Sequence, residues 1–288
     1  MYKMNILLTI LIFLFFSCGN AEKKVSNEQN IKNNKTAAVN NRVNDSLIII
    51  KSQDDILFDK GTYISSDNEN LLFRIMYPEN FDAAKKYPLV IFFHGSGERG
   101  DDNEKQLTLG GSLFENKGNR EKYPAVVLFP QCPENSKWVD VDWGSESHVM
   151  PENPSKEMKL VILLMTKVIT AYKIDTARIY VMGLSMGGYG VWDIISRIPY
   201  KFAAAVPICG GGDENQANKL TNIPIWAFHG KKDKLVKVTR SRNMIKAIKQ
   251  AGGDPKYSEF ENAGHGVWVN AFDEPNLLNW IFLQKKSN

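Results

Sequence analysis

Six short runs rich in apolar and β-favouring residues constrain the fold of this chain most, because each leads into a turn containing Gly, His or Pro. The runs are 89–93, 125–129, 178–182, 202–208, 223–228 and 257–260. Strands that are buried on both faces have such continuous apolar sequences, whereas half-exposed strands alternate apolar and polar residues. The runs therefore predict a mostly parallel sheet that is covered on both faces.

Stretches with helical spacing of apolar residues separate these runs. They are 156–172, 187–196, 239–251 and 277–284, and two further strands are predicted upstream at 61–65 and 71–77. Ser155 precedes the first helix at the position of a capping residue. Alternation of strands and helices predicts the α/β class, with a doubly wound, mostly parallel sheet flanked by helices, in a single domain at residues 46–288.

The first residues are typical of an export signal. Lys3 gives a short basic start, and residues 6–16 are apolar apart from one threonine. This segment is about half of the ~20 residues that a membrane-spanning helix needs, which favours a secretory signal over a membrane span. We therefore predict that residues 1–17 are a signal peptide.

Cys18 follows this segment between Ser17 and Gly19, which resembles the lipobox of bacterial lipoproteins, although Phe15 stands where that motif usually has Leu. The resemblance implies lipidation of Cys18, with plain secretion as the alternative. Residues 18–45 are rich in Asn, Lys, Glu and Ser and have few large apolar side chains, which predicts a flexible tether. We expect an exported head, anchored by lipid to the periplasmic or outer face of the bacterial envelope.

A G-x-S-x-G motif occupies residues 183–187, with Ser185 at its centre. The motif is short enough to occur by chance, and a glycine-rich turn with a capping serine is the alternative interpretation. However, it lies between a predicted strand and a predicted helix, as a nucleophile elbow requires. We predict that Ser185 is a nucleophile.

A serine hydroxyl needs a base to accept its proton. The chain has four histidines, at positions 94, 148, 229 and 265. In folds with this elbow the order along the chain is serine, acid, histidine, so only His229 and His265 qualify. Because His229 ends a buried strand and leaves little room for an acid before it, we predict His265 as the base.

The acid that orients this histidine should follow a strand end between the two residues. Asp213 and Asp233 both do, and Asp233 follows the later strand, next to the loop that carries His265. We favour Asp233 because a carboxylate there can reach the Nδ1 atom of the histidine.

A tetrahedral intermediate needs two N–H donors. One is predicted to be the backbone amide of Met186, which follows the nucleophile. The other should come from the glycine-rich loop at 94–100, where we predict Ser96, with Gly97 as the alternative. His94 is expected to brace this loop rather than to react.

Four motifs together resemble the esterase branch of the α/β-hydrolases: HGSGERGD at 94–101, GLSMGGYG at 183–190, HGKKD at 229–233 and AGHG at 263–266. The chain is similar to feruloyl and acetylxylan esterases, to polyhydroxyalkanoate depolymerases and to predicted peptidases of the prolyl oligopeptidase type. The resemblance covers residues 64–283 and implies the α/β-hydrolase fold. One departure is Lys237, since such relatives often have proline there.

The motifs predict a serine hydrolase that cleaves carbohydrate-linked or small acyl esters. The alternatives are a serine peptidase of the prolyl oligopeptidase type and a non-catalytic binding module that kept the fold. Between 131 and 155 a polar loop carries Trp138, Trp143 and His148. Aromatic side chains on such a loop suit stacking against a sugar or an aromatic acyl group, so we predict that both tryptophans bind substrate.

Other functions have little support in the sequence. The net charge is only +4, and the lysines are not clustered with arginines and aromatics as on a nucleic-acid surface. The histidines and cysteines lack metal-ligand spacing, and no dinucleotide or P-loop motif is present, so we predict no metal, cofactor or nucleic-acid partner.

Cys132 and Cys209 are predicted to be free thiols. Each follows a strand, and in this fold two other strands lie between those two strands. Neighbouring strands are ~4.8 Å apart, whereas a disulfide needs Cα atoms within ~7 Å, so the two cysteines are expected to be too far apart for a bridge.

Overall fold

The computed structural model describes residues 45–52 and 56–286. The predicted signal peptide, the predicted lipidation site Cys18 and almost all of the predicted tether lie outside these residues. The strands are β1 (Ser46–Ile50), β2 (Phe58–Ile64), β3 (Asn70–Met76), β4 (Tyr87–Phe93), β5 (Val126–Pro130), β6 (Ile174–Leu184), β7 (Ala204–Ile208), β8 (Trp226–Gly230) and β9 (Lys256–Phe260).

These strands form one sheet in the order β1-β2-β3-β5-β4-β6-β7-β8-β9. The pairs from β5 through β9 are parallel, whereas β1, β2, β3 and β5 pair antiparallel. The predicted α/β class with a mostly parallel sheet is confirmed. Strand β1 was not predicted: it is an edge strand on which Ile48 and Ile50 are 46% and 61% exposed, so its sequence lacks the signature of a buried strand.

The helices pack on both faces of the sheet. They are α1 (Gly111–Glu115), α2 (Lys117–Lys122), α3 (Lys156–Ala171), α4 (Met186–Arg197), α5 (Thr239–Gln250), α6 (Trp268–Phe272) and α7 (Leu277–Leu283). The Ser155 side chain accepts a hydrogen bond from the Met158 amide at 3.1 Å, so the predicted cap is confirmed. Helices α1, α2 and α6 have at most six residues, which is too short for a visible periodicity. None of the helices in the described ranges is long and apolar enough to span a membrane.

Two apolar cores lie on opposite faces of the sheet. In β4, Leu89 and Ile91 point into the core shared with α3, α4 and α5, whereas Val90 and Phe92 point into the core shared with α1, α6 and α7. Alternating residues of one strand thus enter different cores, because successive side chains point to opposite faces. This accounts for the continuous apolar runs in the sequence and confirms the helices on both faces.

The two cysteines of the described residues are free and buried. Cys132 follows β5 and Cys209 follows β7, and β4 and β6 lie between these strands. The prediction of free thiols is confirmed by this arrangement.

We expect neither thiol to react quickly with a thiol reagent in the folded protein, because both side chains are fully buried. A chain that starts at residue 45 contains only these two cysteines, and after denaturation without reductant it should titrate as two thiols. A measured value of zero would mean that the two cysteines form a disulfide.

Candidate active site

The turn between β6 and α4 holds Ser185 in a strained conformation. Its φ and ψ angles are 54° and −119°, in a region that few non-glycine residues adopt. The turn also brings helix and sheet very close: a Cβ atom on Gly187 would lie 2.0 Å from the carbonyl oxygen of Phe93. Only glycine fits at this contact, which explains the second glycine of the G-x-S-x-G motif.

Ser185, His265 and Asp233 form one hydrogen-bonded chain. The Nε2 atom of His265 lies 2.8 Å from the Ser185 hydroxyl, and its Nδ1 atom lies 2.7 Å from Oδ2 of Asp233. His265 lies on the loop after β9, and Asp233 lies on the loop after β8. The three predicted residues, which are far apart in the sequence, therefore meet at the carboxyl edge of the sheet.

The Asp233 carboxylate is fully enclosed and accepts hydrogen bonds on both oxygens. Oδ1 accepts from the backbone amides of Leu235 and Val236, each at 2.9 Å. Burial alone would raise the pKa of Asp233, but hydrogen bonds from His229, His265 and these amides hold it below its usual range. The carboxylate is therefore ionised near neutral pH and can orient the Nδ1–H group of His265.

Asp213, the alternative acid, has other contacts. Its Oδ2 accepts from the Met150 amide at 3.0 Å, and its Oδ1 accepts from the Asn215 amide at 3.0 Å. It caps the short 3₁₀ helix Glu214–Lys219, and its hydrogen bonds hold the loop that contains Met150. Asp233, rather than Asp213, is thus the carboxylate that contacts His265.

His229 is a further neighbour of Asp233 that the sequence analysis missed. Its side chain is fully buried, and its Nε2 atom lies 3.3 Å from Oδ2 of Asp233 and 3.0 Å from the Val236 carbonyl. Its Nδ1 atom lies 2.7 Å from the Ser241 hydroxyl. The histidine at the end of β8 therefore fixes the loop that presents Asp233. The His-Gly pair before Asp233 was the signal available in the sequence.

Cys209 lies directly beside the hydrogen-bonded chain. Potential ligand atoms of Cys209, Asp233 and His265 all lie within 4.8 Å of one another. Burial raises the pKa of the Cys209 thiol and the charge of Asp233 also raises it, whereas a backbone hydrogen bond at Ser185 lowers it. Cys209 is therefore a buried thiol beside the hydrogen-bonded pair of Asp233 and His265.

The predicted oxyanion donors, Met186 and Ser96, both begin helical turns. Met186 opens α4, and Ser96 opens the 3₁₀ helix Ser96–Glu98 that follows β4. First-turn N–H groups have no acceptor within their own helix, so they are available to a ligand. A Cβ atom on Gly95 would lie 2.9 Å from Leu184, which places this loop beside the residue before Ser185. Their role as donors stays a prediction.

His94 braces the glycine-rich loop, as predicted. Its Nδ1 atom lies 2.6 Å from the Gly95 carbonyl, and its Nε2 atom accepts from the Cys132 amide at 2.9 Å. Burial lowers the pKa of His94 to about 4, so the ring is neutral with its proton on Nδ1. It links the loop after β4 to the loop after β5 and takes no part in the chain around Ser185.

The prediction that Trp138 binds substrate is wrong. Its side chain is 0% exposed, and its indole N–H donates to the His94 carbonyl at 3.1 Å. Its ring packs 4.9 Å from that of Phe93. This tryptophan therefore holds the polar loop onto the body of the protein and presents no surface to a ligand.

Trp143 is only partly buried, on the same loop. Its carbonyl accepts from the Tyr189 hydroxyl at 3.1 Å, and the Lys137 ammonium lies 5.2 Å from its ring. Trp143 also packs against the apolar core, and its predicted role in substrate binding is untested. A second aromatic ring, not predicted, lies beside the site: Trp268 packs edge-on to His265 at 5.6 Å between ring centroids.

Comparisons with known proteins are in agreement with this fold. The sequence profile of the dienelactone hydrolase family matches residues 142–274. A bifunctional acetylxylan esterase/xylanase of Neocallimastix patriciarum is 26% identical over 57% of this chain and 22% of its own length. An uncharacterized secreted protein of Arthroderma benhamiae is 23% identical over 67% of this chain and 23% of its own length.

Among solved structures, that of a thermostable esterase superposes with a TM-score of 0.75 and 36% identity, over 80% of this chain and 64% of the other. This chain spans less than a quarter of the length of the curated relatives. The sheet order, the elbow after β6 and these similarities together show that the chain has the α/β-hydrolase fold, and an esterase is among the solved structures that it resembles.

Proposed function

We propose that this protein is a serine hydrolase that cleaves carboxylic esters through an acyl-enzyme. The observation that carries the proposal is the unbroken hydrogen-bonded chain from Ser185 through His265 to Asp233. The strained turn places the serine hydroxyl at the N-terminus of helix α4. The dipole of that helix stabilises the negative charge that develops there during the reaction.

In this mechanism the Ser185 hydroxyl attacks the ester carbonyl while His265 takes its proton on Nε2. The backbone amides of Met186 and of Ser96, or of Gly97 in its place, stabilise the oxyanion. Protonated His265 then gives its proton to the departing alcohol, which leaves the acyl group on Ser185. Water, deprotonated by His265, attacks the acyl-enzyme, and the acid product leaves as the serine is reprotonated.

Small acyl esters, including those linked to carbohydrates, are the substrate class that we propose. The similarity to an acetylxylan esterase/xylanase supports this class. Trp143 is partly buried against the core, on the loop that leaves the sheet at the edge carrying Ser185, and its exposed part is the aromatic surface that we propose for contact with a sugar or an aromatic acyl group. The proposed substrate is thus a small-molecule or oligosaccharide ester.

We further propose that the protein is exported and held at the bacterial envelope through lipidated Cys18. The apolar segment at 6–16, and the small residues on either side of the cysteine, support this proposal. A secreted protein among the relatives is consistent with export. The residues after Cys18 would then link the lipid to the catalytic head.

Replacing Ser185 by alanine should abolish ester hydrolysis, with a loss of kcat of at least about three orders of magnitude, because the nucleophile is removed. The fold should be retained, as checked by circular dichroism. A fluorophosphonate should add one label to the wild type and none to the variant. Activity of Ser185→Ala within tenfold of wild type would disprove covalent catalysis at this residue.

Asp233→Asn should lower kcat by about four orders of magnitude, because the amide stabilises the wrong tautomer of His265. Asp213→Asn, the matched control, should have a much smaller effect, since Asp213 binds backbone amides elsewhere. Both variants are compared in the same ester assay after a folding check. The reverse ranking would identify Asp213 as the acid.

The stability of the fold should depend on the ionisation of Asp233. Because its pKa is lower in the folded state than in the unfolded chain, its contribution is complete above the unfolded value of about 4 and is lost as the pH falls below it. The difference in free energy of unfolding between wild type and Asp233→Asn should therefore shrink below about pH 4. Urea unfolding at several pH values measures it, and a constant difference would contradict the lowered pKa.

Esters should be cleaved faster than peptide amides of matched structure. We expect kcat/KM on acetylated or feruloylated oligosaccharides and on p-nitrophenyl esters to exceed that on every peptide amide tested. Trp143→Ala should raise KM for sugar esters more than for p-nitrophenyl acetate, because only the larger substrate reaches the loop. Faster cleavage of amides would support a peptidase, and equal changes in KM would leave Trp143 with a structural role only.

A further inference from the structure

Arg240 is a buried charge whose counter-charge is missing from the residues that the structure describes. Its side chain lies in the first turn of α5 and is 0% exposed. Its Nε and Nη1 atoms are buried and have no hydrogen-bond partner, and no described carboxylate lies within salt-bridge distance. Buried guanidinium groups are normally paired, because leaving the charge unpaired is costly. An anion is therefore the expected partner of this group.

The contacts that Arg240 does make are all with uncharged groups. Nη2 binds Nδ1 of His148 and lies 3.4 Å from the Gly212 carbonyl. The guanidinium carbon lies 5.5 Å from the centre of the Tyr189 ring. A Cβ atom on Gly211 would lie 2.4 Å from Nε and 2.8 Å from Nη2, so the peptide backbone covers the edge that these two atoms form. Because Nη1 has no hydrogen-bond partner, the opposite edge, formed by Nη1 and Nη2, is the one that we assign to a ligand.

His148 cannot neutralise this charge. Burial and, to a smaller extent, the neighbouring charge of Arg240 lower its pKa to about 4, so the ring is neutral and accepts through Nδ1. The acidic residues nearby are already engaged: Glu146 binds Lys237, and Asp213 accepts hydrogen bonds from backbone amides.

Arg240 lies next to the proposed catalytic residues. Tyr189, against which it packs, is one helical turn after Ser185, whose carbonyl accepts from the Tyr189 amide at 3.1 Å. The neighbouring Ser241 contacts His229, which in turn contacts Asp233. A ligand on Arg240 would therefore lie at the same edge of the sheet as a substrate on Ser185.

The cover over Arg240 belongs to the loop between β5 and α3. His148 is only partly buried, and the next residue, Val149, is 75% exposed. The His148 ring packs against Tyr189, with 5.9 Å between ring centroids, and an outward movement of this histidine would release Nη2. Nη1 and Nη2 would then present two parallel N–H donors, the geometry that matches the two oxygens of a carboxylate.

We propose that Arg240 binds a carboxylate group of the substrate, which replaces His148 on Nη2, so that the preferred esters carry a free acid as well as the scissile bond. This inference rests on the proposed ester hydrolysis at Ser185. It narrows the substrate class to acid-bearing esters and leaves open on which side of the ester the acid lies.

Matched pairs of esters test the proposal. On the alcohol side, para-acetoxybenzoate is compared with para-acetoxybenzamide; on the acyl side, monophenyl adipate is compared with phenyl hexanoate. The wild type should show a kcat/KM at least about tenfold higher for the acid member of one pair, the effect expected of a charge-assisted two-point contact. Equal values in both pairs would overturn the proposal. Hydrolysis of none of the four esters would instead count against the proposed function itself.

Arg240→Met should reduce the ratio of acid to neutral kcat/KM by at least about tenfold in the preferred pair. Arg242→Gln is the matched control, because it removes the same charge from the solvent side of the same helix, where Arg242 pairs with Glu259. The control should keep the wild-type ratio. An unchanged ratio in Arg240→Met, or the same loss in both variants, would contradict carboxylate binding at Arg240.

Binding of a carboxylate can also be measured directly, with anions that the protein does not hydrolyse. In the full chain, para-hydroxybenzoate or adipate should raise the Tm of the wild type but not that of Arg240→Met. If the methionine variant does not fold, Arg240→Lys replaces it, since lysine keeps the charge and lacks the two-point geometry. A Tm that rises equally in wild type and variant would place the anion elsewhere and overturn the proposal.

Discussion

The close contact between helix α4 and strand β4 determines the architecture around Ser185. The backbone of Gly187 lies so near the Phe93 carbonyl that no side chain fits between them. This contact fixes the first turn of the helix against the centre of the parallel sheet, between two apolar cores. The strained backbone of Ser185 is held because its surroundings are fully packed, and strain of this kind persists only where neighbouring structure determines it.

Asp233 provides the second centre of organisation. Its two oxygens accept hydrogen bonds from the following turn, from His229 at the end of β8 and from His265 after β9. One carboxylate therefore fixes its own loop and the orientation of the histidine that faces the serine. His229 extends this order through Ser241 to the start of α5, where Arg240 lies. The proposed catalytic residues and the proposed acid-binding position thus share one hydrogen-bonded framework.

The sequence was sufficient to predict features that have a strong local pattern or a fixed order of residues along the chain. Continuous apolar runs predicted the parallel strands, and the order serine, acid, histidine led to residues that the structure brings together. The sequence was insufficient where the role of a residue depends on the direction in which its side chain points. Nothing in a polar loop tells whether Trp138 faces solvent or core, and its wrong assignment follows from that. The contacts of His229 and Arg240 likewise arise only from folding.

The position of β1 has a mechanical consequence. Among the described residues, this strand pairs only with β2, at the edge of the sheet, and it is five strand spacings from β6, roughly 24 Å at the usual interstrand distance. Lys167 and Tyr63 bind Asp45 just before the strand begins. A pulling force on the chain ahead of this point would load the β1–β2 ladder first. The edge strand could then peel away under tension while the elbow and its hydrogen-bonded partners remained unstressed.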